Sequence, residues 1–247
     1  MGLQAYIAEI FSSLQGEGQH TGEPTTFVRF SGCSSSCKWC DTKAAHETSQ
    51  FVRIETPPGK RQFINYENPF TIEKLNEHLA FFSDPTISVT GGEPLEQAAF
   101  LEKWLPTLKP AKKILLETNG VLPKALEKTA RFVDTISMDI KLPSSTGGRD
   151  FWREHTEFLS KALASGKETY IKIVVTEETV GKEIQEAIKL VTSINKYVPV
   201  ILQPASATEN FQKNISNEQL QSFERLCKLW LPNVTIMRQT HKELGIL

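Results

Sequence analysis

The chain has 247 residues, 39% of them hydrophobic, which is enough to build the core of one large α/β domain. Its formal net charge of −1 shows no basic excess and argues against a nucleic-acid partner or a membrane-surface protein. It contains neither the roughly 18 consecutive apolar residues of a membrane span nor the basic-then-apolar start of a secretory signal. We therefore expect a cytoplasmic protein that acts on a small molecule.

The first part of the chain predicts two strands, an insertion and one helix. Apolar runs with β-branched and aromatic residues predict strands at residues 6–11 and 25–30. Residues 43–70 contain proline and glycine but no sustained period, which predicts a surface insertion with one short hairpin. Thr71 then caps a helix that ends before Pro85.

From residue 86 onward, predicted strands alternate with predicted helices. The strands lie at residues 86–90, 113–117, 135–140, 170–175, 199–203 and 234–237, and the helices at 97–105, 123–130, 151–163, 182–194 and 218–229. This alternation implies parallel strands joined by right-handed crossovers, in an open doubly wound sheet or in a barrel. In both architectures ligands bind at the carboxyl ends of the strands.

Polar residues lie at the ends of four strands of this pattern. Each of them alone is more often a cap or a turn, but four polar ends on one rim predict a shared site. They are Thr90, Glu117 to Gly120, Asp139 to Lys141, and Gln203. Two earlier features have two readings each: the Leu14-Gln15-Gly16 loop grips a polar heterocycle or is a plain turn, and Arg29 clamps an anion or forms an ion pair. His78 and His155 fall within helical patterns and are predicted to be surface or packing residues.

Three of the four cysteines, Cys33, Cys37 and Cys40, lie on one serine-rich loop with the spacing C-x3-C-x2-C. A structural zinc ion usually takes four ligands in two separated pairs, so a compact trio fits zinc poorly unless His20 or His46 completes it. An iron–sulfur cluster on three thiolates keeps one iron open for a small molecule. The isolated Cys227 is predicted to pack as a small apolar residue on a helix.

The cysteine loop, Trp39 before its third cysteine, and the Gly91-Gly92-Glu93-Pro94 segment resemble the radical S-adenosylmethionine (SAM) superfamily. This resemblance implies a partial (βα)6 TIM-like barrel, with residues 1–247 as one domain and 43–70 as an insertion. It also implies a 4Fe-4S cluster and SAM as cofactors. In this superfamily the Gly-Gly-Glu-Pro segment lies against the methionyl amine of SAM.

Further segments are similar to the 7-carboxy-7-deazaguanine synthase family of the queuosine pathway. They are Leu14-Gln15-Gly16-Glu17-Gly18, Phe27-Val28-Arg29 ahead of Gly32-Cys33, Cys40-Asp41-Thr42, Thr90-Gly91-Gly92-Glu93-Pro94 and Gln239-Thr240-His241-Lys242. Glycyl-radical-enzyme activases, one alternative, carry an Asp-Gly-Pro-Gly turn and a His-Asn pair that this chain lacks. A non-catalytic iron–sulfur or zinc protein is the other alternative.

The family resemblance implies a magnesium-dependent lyase. It also implies a homodimer and an electron donor such as flavodoxin or ferredoxin. It implies conversion of 6-carboxy-5,6,7,8-tetrahydropterin to 7-carboxy-7-deazaguanine with loss of ammonia, by radical abstraction of a hydrogen at C6. The implied site residues are Cys33, Cys37 and Cys40 for the cluster; Thr42 for magnesium; Leu14, Gln15, Gly16, Arg29, Thr90 and His241 for the pterin; and Gly92, Asp139, Ile140, Lys141 and Gln203 for SAM. Asp139-Ile140-Lys141 departs from the Ser-Pro-Lys of many members, and no general base stands out.

Overall fold

A ten-stranded sheet forms the framework of the computed structural model, which describes residues 2–35, 37–207, 211–212, 214–240 and 245. The described residues form twelve strands, of which β1 and β6 pair with each other outside this sheet. They are β1 (Gln4–Ala5), β2 (Ile7–Leu14), β3 (Pro24–Phe30), β4 (Phe51–Glu55), β5 (Phe63–Glu67), β6 (Phe70–Thr71), β7 (Thr86–Gly91), β8 (Lys113–Thr118), β9 (Thr135–Asp139), β10 (Glu168–Val175), β11 (Val200–Pro204) and β12 (Val234–Ile236). The α-helices are α1 (Ile72–Leu79), α2 (Ala98–Leu108), α3 (Pro123–Thr129), α4 (Trp152–Ala164), α5 (Gly181–Ile194) and α6 (Asn217–Lys228).

Seven of the sheet strands run parallel to one another, in the order β3, β7, β8, β9, β10, β11 and β12. One helix follows each of the first six, so the chain builds six βα units and then adds the short β12. The sheet has edges at β5 and β12 instead of closing. This arrangement confirms the predicted partial (βα)6 barrel, and strand boundaries differ from the predicted ones by a few residues.

The predicted hairpin in residues 43–70 is confirmed as the antiparallel pair β4 and β5. It is more than a surface addition, because β4 pairs with β2 and extends the main sheet. Val52 and Ile54 are buried while Phe51 and Arg53 are exposed, which is the period-two pattern of a half-buried strand. The insertion therefore contributes part of the hydrophobic core.

The central parallel strands β7 to β11 are buried along almost their whole length, because helices cover them on the outside. In β10 every residue after Glu168 is buried. Helix α1 begins where predicted, since the Thr71 hydroxyl accepts a hydrogen bond from the Lys74 amide. Among the described residues, no helix is long and apolar enough to cross a membrane.

Candidate active site

One cavity lies inside the open barrel and is lined at the strand carboxyl ends by residues from β7, β8, β9, β10 and β11. The cavity also reaches the loop after β2. This loop lies at the opposite end of β3 from the cysteine loop, because Leu14 pairs with Pro24 at the start of β3. The predicted site residues that line it are Leu14, Gln15, Gly16, Arg29, Cys33, Cys37, Cys40, Thr42, Thr90, Gly92, Asp139, Lys141 and Gln203. The barrel interior thus brings nearly all of the candidates together.

Two candidates are not in this group. The side chain of Ile140 is fully buried in the main hydrophobic core, and its amide donates to the Lys172 carbonyl. His241 lies outside the described residues, although the preceding Thr240 is placed beside the Leu14–Gly16 loop through a hydrogen bond from its amide to the Gly16 carbonyl. Ile140 therefore contributes no side chain to the cavity.

Backbone hydrogen bonds hold the cysteine loop against neighbouring segments. The amide of Gly32 donates to the Ala45 carbonyl at 2.8 Å, and the amide of Lys38 donates to the Ser145 carbonyl at 3.0 Å. The amide of Ser34 donates to the Glu96 carboxylate at 2.6 Å. The loop is therefore anchored before, between and after its first two cysteines.

The two glycines at the end of β7 leave room for the backbone of neighbouring segments. A Cβ atom on Gly91 would lie 2.2 Å from the Phe30 carbonyl oxygen, and Gly91 has a φ of +135° that favours glycine. A Cβ atom on Gly92 would lie 2.2 Å from the Gly32 carbonyl oxygen. A side chain at Gly91 would therefore displace the end of β3, and one at Gly92 would displace the start of the cysteine loop.

Glu93, the acidic residue of the same segment, is completely buried. Its carboxylate accepts hydrogen bonds from the amides of Leu95 and Asn119 and from the Thr118 hydroxyl. Burial raises the pKa of Glu93 to about 7, and the hydrogen bonds oppose this shift. The side chain therefore ties the end of β7 to the end of β8.

The three clustered thiols suit a metal centre by chemistry and position. All three line the same cavity, and burial raises the pKa of Cys33 to about 11 and also raises the pKa of Cys37. The Sγ of Cys40 lies 3.2 Å from Nε2 of His46, one of the two histidines considered for zinc. No three His, Cys, Asp or Glu side chains in the described part of the chain are grouped around one ion position.

The residues present fit an iron–sulfur cluster with SAM beside it. Three soft thiols line this cavity, and Gly92, which has no side chain, lines it as well. The Oε1 atom of Gln203 is buried in the same cavity and has no hydrogen-bond partner among the described residues, as expected for a group that meets a ligand.

A buried network of charges joins the two halves of the cavity. The Lys172 ammonium lies 2.6 Å from a Glu17 carboxylate oxygen and 3.5 Å from Asp139, which in turn lies 2.7 Å from the Lys141 ammonium. Burial lowers the pKa of Lys172 and of Lys141, but neighbouring carboxylates outweigh this effect, so both pKa values are raised. Both lysines are therefore permanently cationic and hold their acidic partners in place.

The half of the cavity beside the first hairpin is rich in amide and carboxylate groups. The Gln15 amide donates to Glu117 at 3.0 Å, and the Ser88 hydroxyl donates to the same carboxylate oxygen at 2.5 Å. The rings of Phe11 and Phe27 stack beside them at 4.9 Å between centroids. This half can therefore hold a flat, polar heterocycle.

Arg29 lies at the edge of that region and is half-buried. Its Nε lies 3.7 Å from a Glu9 carboxylate oxygen, and its guanidinium carbon lies 5.7 Å from the Phe11 ring centroid. Both readings of Arg29 therefore stay open, since it has an ion-pair partner and also lines the cavity.

Sequence reasoning missed Glu17, Lys172 and Gln239 as lining residues. Glu17 stood within the recognised glycine loop, and a lysine inside the apolar strand β10 is a signal that could have been noticed. The Gln239 amide donates to Glu17 at 2.6 Å, a pairing across 222 residues that no local pattern reveals.

The comparisons with known proteins agree with this geometry. Residues 27–191 match the model of the radical SAM superfamily. The structure is similar in fold to QueE from Escherichia coli, with a TM-score of 0.63, 23% identity, and 96% of this chain and 95% of that chain covered. It is also similar to a radical SAM methyltransferase from Sphaerobacter thermophilus, with a TM-score of 0.57, 13% identity, and 94% and 77% covered. The chain belongs to the radical SAM superfamily.

Two curated relatives narrow this class. The chain is 38% identical to 7-carboxy-7-deazaguanine synthase of Geobacter sulfurreducens, with 98% of both chains covered. It is 32% identical to 7-carboxy-7-deazaguanine synthase of Methanopyrus kandleri, with 98% of this chain and 93% of that one covered. The chain therefore belongs to the 7-carboxy-7-deazaguanine synthase family, which confirms the resemblance seen in its motifs.

Proposed function

We propose that this protein converts 6-carboxy-5,6,7,8-tetrahydropterin to 7-carboxy-7-deazaguanine with loss of ammonia, a step of queuosine and 7-deazapurine biosynthesis. The observation that carries the proposal is the shared cavity, where Cys33, Cys37 and Cys40 face the same space as Gln15 and Arg29. A thiol wall and a heterocycle-sized polar region in one cavity are what this reaction needs.

Cys33, Cys37 and Cys40 would hold a 4Fe-4S cluster, and Thr42 would hold magnesium through its hydroxyl. When bound, the cluster and SAM supply one-electron reduction of the sulfonium and radical abstraction of hydrogen. SAM would lie against Gly92, the Asp139-Ile140-Lys141 segment and Gln203. The unpartnered Gln203 oxygen supports this placement, because it is a buried acceptor without a donor among the described residues.

The pterin would lie in the other half of the cavity, against the Leu14-Gln15-Gly16 loop and Thr90, with His241 as a further candidate. Glu117 is held by Gln15 and Ser88 and can accept hydrogen bonds from ring N–H groups. Arg29 would pair with the substrate carboxylate, exchanging its contact with Glu9. These groups orient the ring and keep water away from it, while proton transfer to the departing amine has no assigned side chain.

Assembly and context follow from the family and are part of the same proposal. We propose one domain over residues 1–247 with 43–70 as its insertion, a homodimer, a cytoplasmic location, and a flavodoxin or ferredoxin as electron donor. A mass of twice 27.8 kDa by light scattering would support the dimer. A single cooperative unfolding transition would support the single domain.

The test is an anaerobic assay of iron-reconstituted protein with dithionite, SAM, magnesium and the tetrahydropterin. We expect 7-carboxy-7-deazaguanine by mass spectrometry, and no product when SAM is omitted. In Arg29→Lys the KM for the pterin should rise at least about tenfold while the KM for SAM stays constant. Lysine keeps the positive charge but cannot donate two parallel hydrogen bonds to the substrate carboxylate as a guanidinium can. SAM cleavage with untouched pterin would retain the superfamily but overturn the substrate, and would favour an activase.

A further inference from the structure

His155 lies on α4, is completely buried, and is not among the cavity-lining residues. Both of its ring nitrogens nevertheless have backbone partners. Nε2 lies 3.0 Å from the amide nitrogen of Lys141, and Nδ1 lies 3.1 Å from the carbonyl oxygen of Gly120. Since an amide only donates and a carbonyl only accepts, the ring must be neutral with its proton on Nδ1.

The two partners belong to neighbouring strand ends of the cavity rim. Gly120 follows β8, and Lys141 follows β9. Gly120 has a φ of +68°, and a Cβ atom there would lie 2.9 Å from the Met138 side chain. The two turns are therefore packed tightly, and the imidazole joins them from the helix side.

Lys141 extends from this junction toward the cysteine loop. Its ammonium lies 2.7 Å from Asp139 and 4.6 Å from the centroid of the Trp39 ring, two residues after Cys37. Because the Lys141 side chain is only 9% exposed, the direction of its ammonium depends on where its backbone is held. The imidazole holds that backbone at its only donor group.

We propose that His155 is a positioning residue of the SAM site, which fixes Lys141 through its amide and so aims the Lys141 ammonium at Asp139 and Trp39. The proposal rests on the SAM site of the proposed function and is independent of the pterin. A residue that only packs at this fully buried position would need no polar atoms, whereas both ring nitrogens of His155 have hydrogen-bond partners. Burial lowers the pKa of His155 to about 4, so the ring keeps its accepting nitrogen at neutral pH.

Two variants with a side-chain amide each keep one of the two hydrogen bonds that the imidazole makes. In His155→Gln the longer side chain places an acceptor near the position of Nε2, toward Lys141. In His155→Asn the shorter side chain places a donor near the position of Nδ1, toward Gly120. His155→Phe removes both bonds, and Leu159→Ala is the control, because Leu159 is equally buried one turn along α4 and contacts the core alone.

The measurement is the dissociation constant of SAM for the reconstituted holoenzyme, read from the change of its EPR signal on SAM addition. We expect a rise of roughly tenfold in His155→Phe and His155→Asn, because one buried bond to the positioned group is lost. We expect a rise of under about threefold in His155→Gln, and an unchanged constant in Leu159→Ala despite a lower melting temperature.

Equal constants for the Gln and Asn variants, or a loss in Leu159→Ala as large as in His155→Phe, would overturn the proposal and leave His155 a structural bridge. If His155→Phe does not fold, the comparison of Gln with Asn still decides. A wild-type holoenzyme that does not bind SAM would instead overturn the proposed function. Normal wild-type binding with unaffected variants would overturn the positioning role alone.

Discussion

Lys172 and Lys161 each pair with two carboxylates, but one lies inside the barrel and the other lies on its outer surface. Lys172 is 2.6 Å from Glu17, a partner 155 residues away in the chain, and its side chain is 7% exposed. Lys161 is 2.8 Å from Glu157, which is one helical turn away, and its side chain is 26% exposed. Lys161 also lies 2.6 Å from Glu127 on the neighbouring helix α3. The interior contacts of Lys172 therefore depend on the whole fold, whereas the exterior contacts of Lys161 stay within one helix and its neighbour.

Cysteines and histidines show the same contrast between the cavity wall and the outer shell. Cys37 lines the cavity, whereas Cys227 lies on the buried face of α6 in the hydrophobic core. His155 joins two strand ends, whereas His78 packs against the rings of Tyr66 and Phe70. Residue type alone therefore does not identify the functional groups; what identifies them is burial together with polar partners distant in sequence.

The largest expected difference is between Cys37→Ala and Cys227→Ala. Cys37→Ala should lose nearly all product formation, at least about a thousandfold, because one of the three proposed cluster ligands is missing. Cys227→Ala should keep its iron and its activity and lose about 1 kcal/mol of stability, as a small core truncation does. Iron content, product yield and thermal unfolding measure both. Full iron content and activity in Cys37→Ala would remove the cluster assignment.

Lys172→Met and Lys161→Met test the contrast between the two lysines. Lys172→Met removes the ammonium 2.6 Å from the half-buried Glu17 carboxylate and leaves Asp139 with Lys141, which should cost about 3 kcal/mol of unfolding free energy. Lys161→Met should leave the melting temperature unchanged within error, because water replaces the lost pairs. Urea unfolding of both variants provides the comparison. Equal midpoints would show that the interior network carries no more stability than a surface pair.

The titrations of His155 and Glu93, both buried, should change the free energy of unfolding with pH in opposite directions. The folded-state pKa of His155, about 4, lies below its ordinary value of 6.5, so the unfolded chain binds the proton first as pH falls. Its stabilising contribution is present above pH 6.5 and is lost toward pH 4, by about 1.4 kcal/mol per unit within that window. The pKa of Glu93, about 7, lies above its ordinary 4.5, so stability falls as pH rises between these values.

Unfolding free energies of wild type, His155→Gln and Glu93→Gln across this range measure these contributions as differences from wild type. The advantage of wild type over His155→Gln should shrink as pH falls from 6.5 to 4. The corresponding difference for Glu93→Gln should run the other way between pH 4.5 and 7. A constant difference for either variant would mean that the group does not titrate in that window.

Local patterns predicted the strands, the helices and most of the cavity wall. The C-x3-C-x2-C loop, the Gly91-Gly92 pair and the polar strand ends are contiguous signals, and parallel strands bring their carboxyl ends together by topology. The hairpin in residues 43–70 was also predicted, because its signals are local.

What could not be predicted depends on contacts between distant segments. The pairing of Lys172 with Glu17, and of Gln239 with Glu17, appears only after the barrel forms. The role of Gly91 and Gly92 is set by the approach of β3 and the cysteine loop, which are remote in sequence. His155 was predicted to be a surface or packing residue because a helical period reports which face is buried but not which backbone groups lie beneath it.

The helix caps of the outer shell should contribute to stability alone and not to the cavity. The Thr71 hydroxyl accepts a hydrogen bond from the Lys74 amide at 3.3 Å, and the Ser216 hydroxyl accepts one from the Gln219 amide at 3.1 Å. Thr71→Ala and Ser216→Ala should each cost about 1 kcal/mol, because one amide of the first turn loses its acceptor. Both caps lie away from the cavity lining, so the affinity for SAM and the KM for the pterin should stay at wild-type values. Thermal unfolding and steady-state kinetics on the same samples measure both.

A cap variant that weakened SAM binding as strongly as His155→Phe would contradict the positioning role of His155. It would mean that a general loss of stability, and not the direction of the Lys141 ammonium, determines the affinity for SAM.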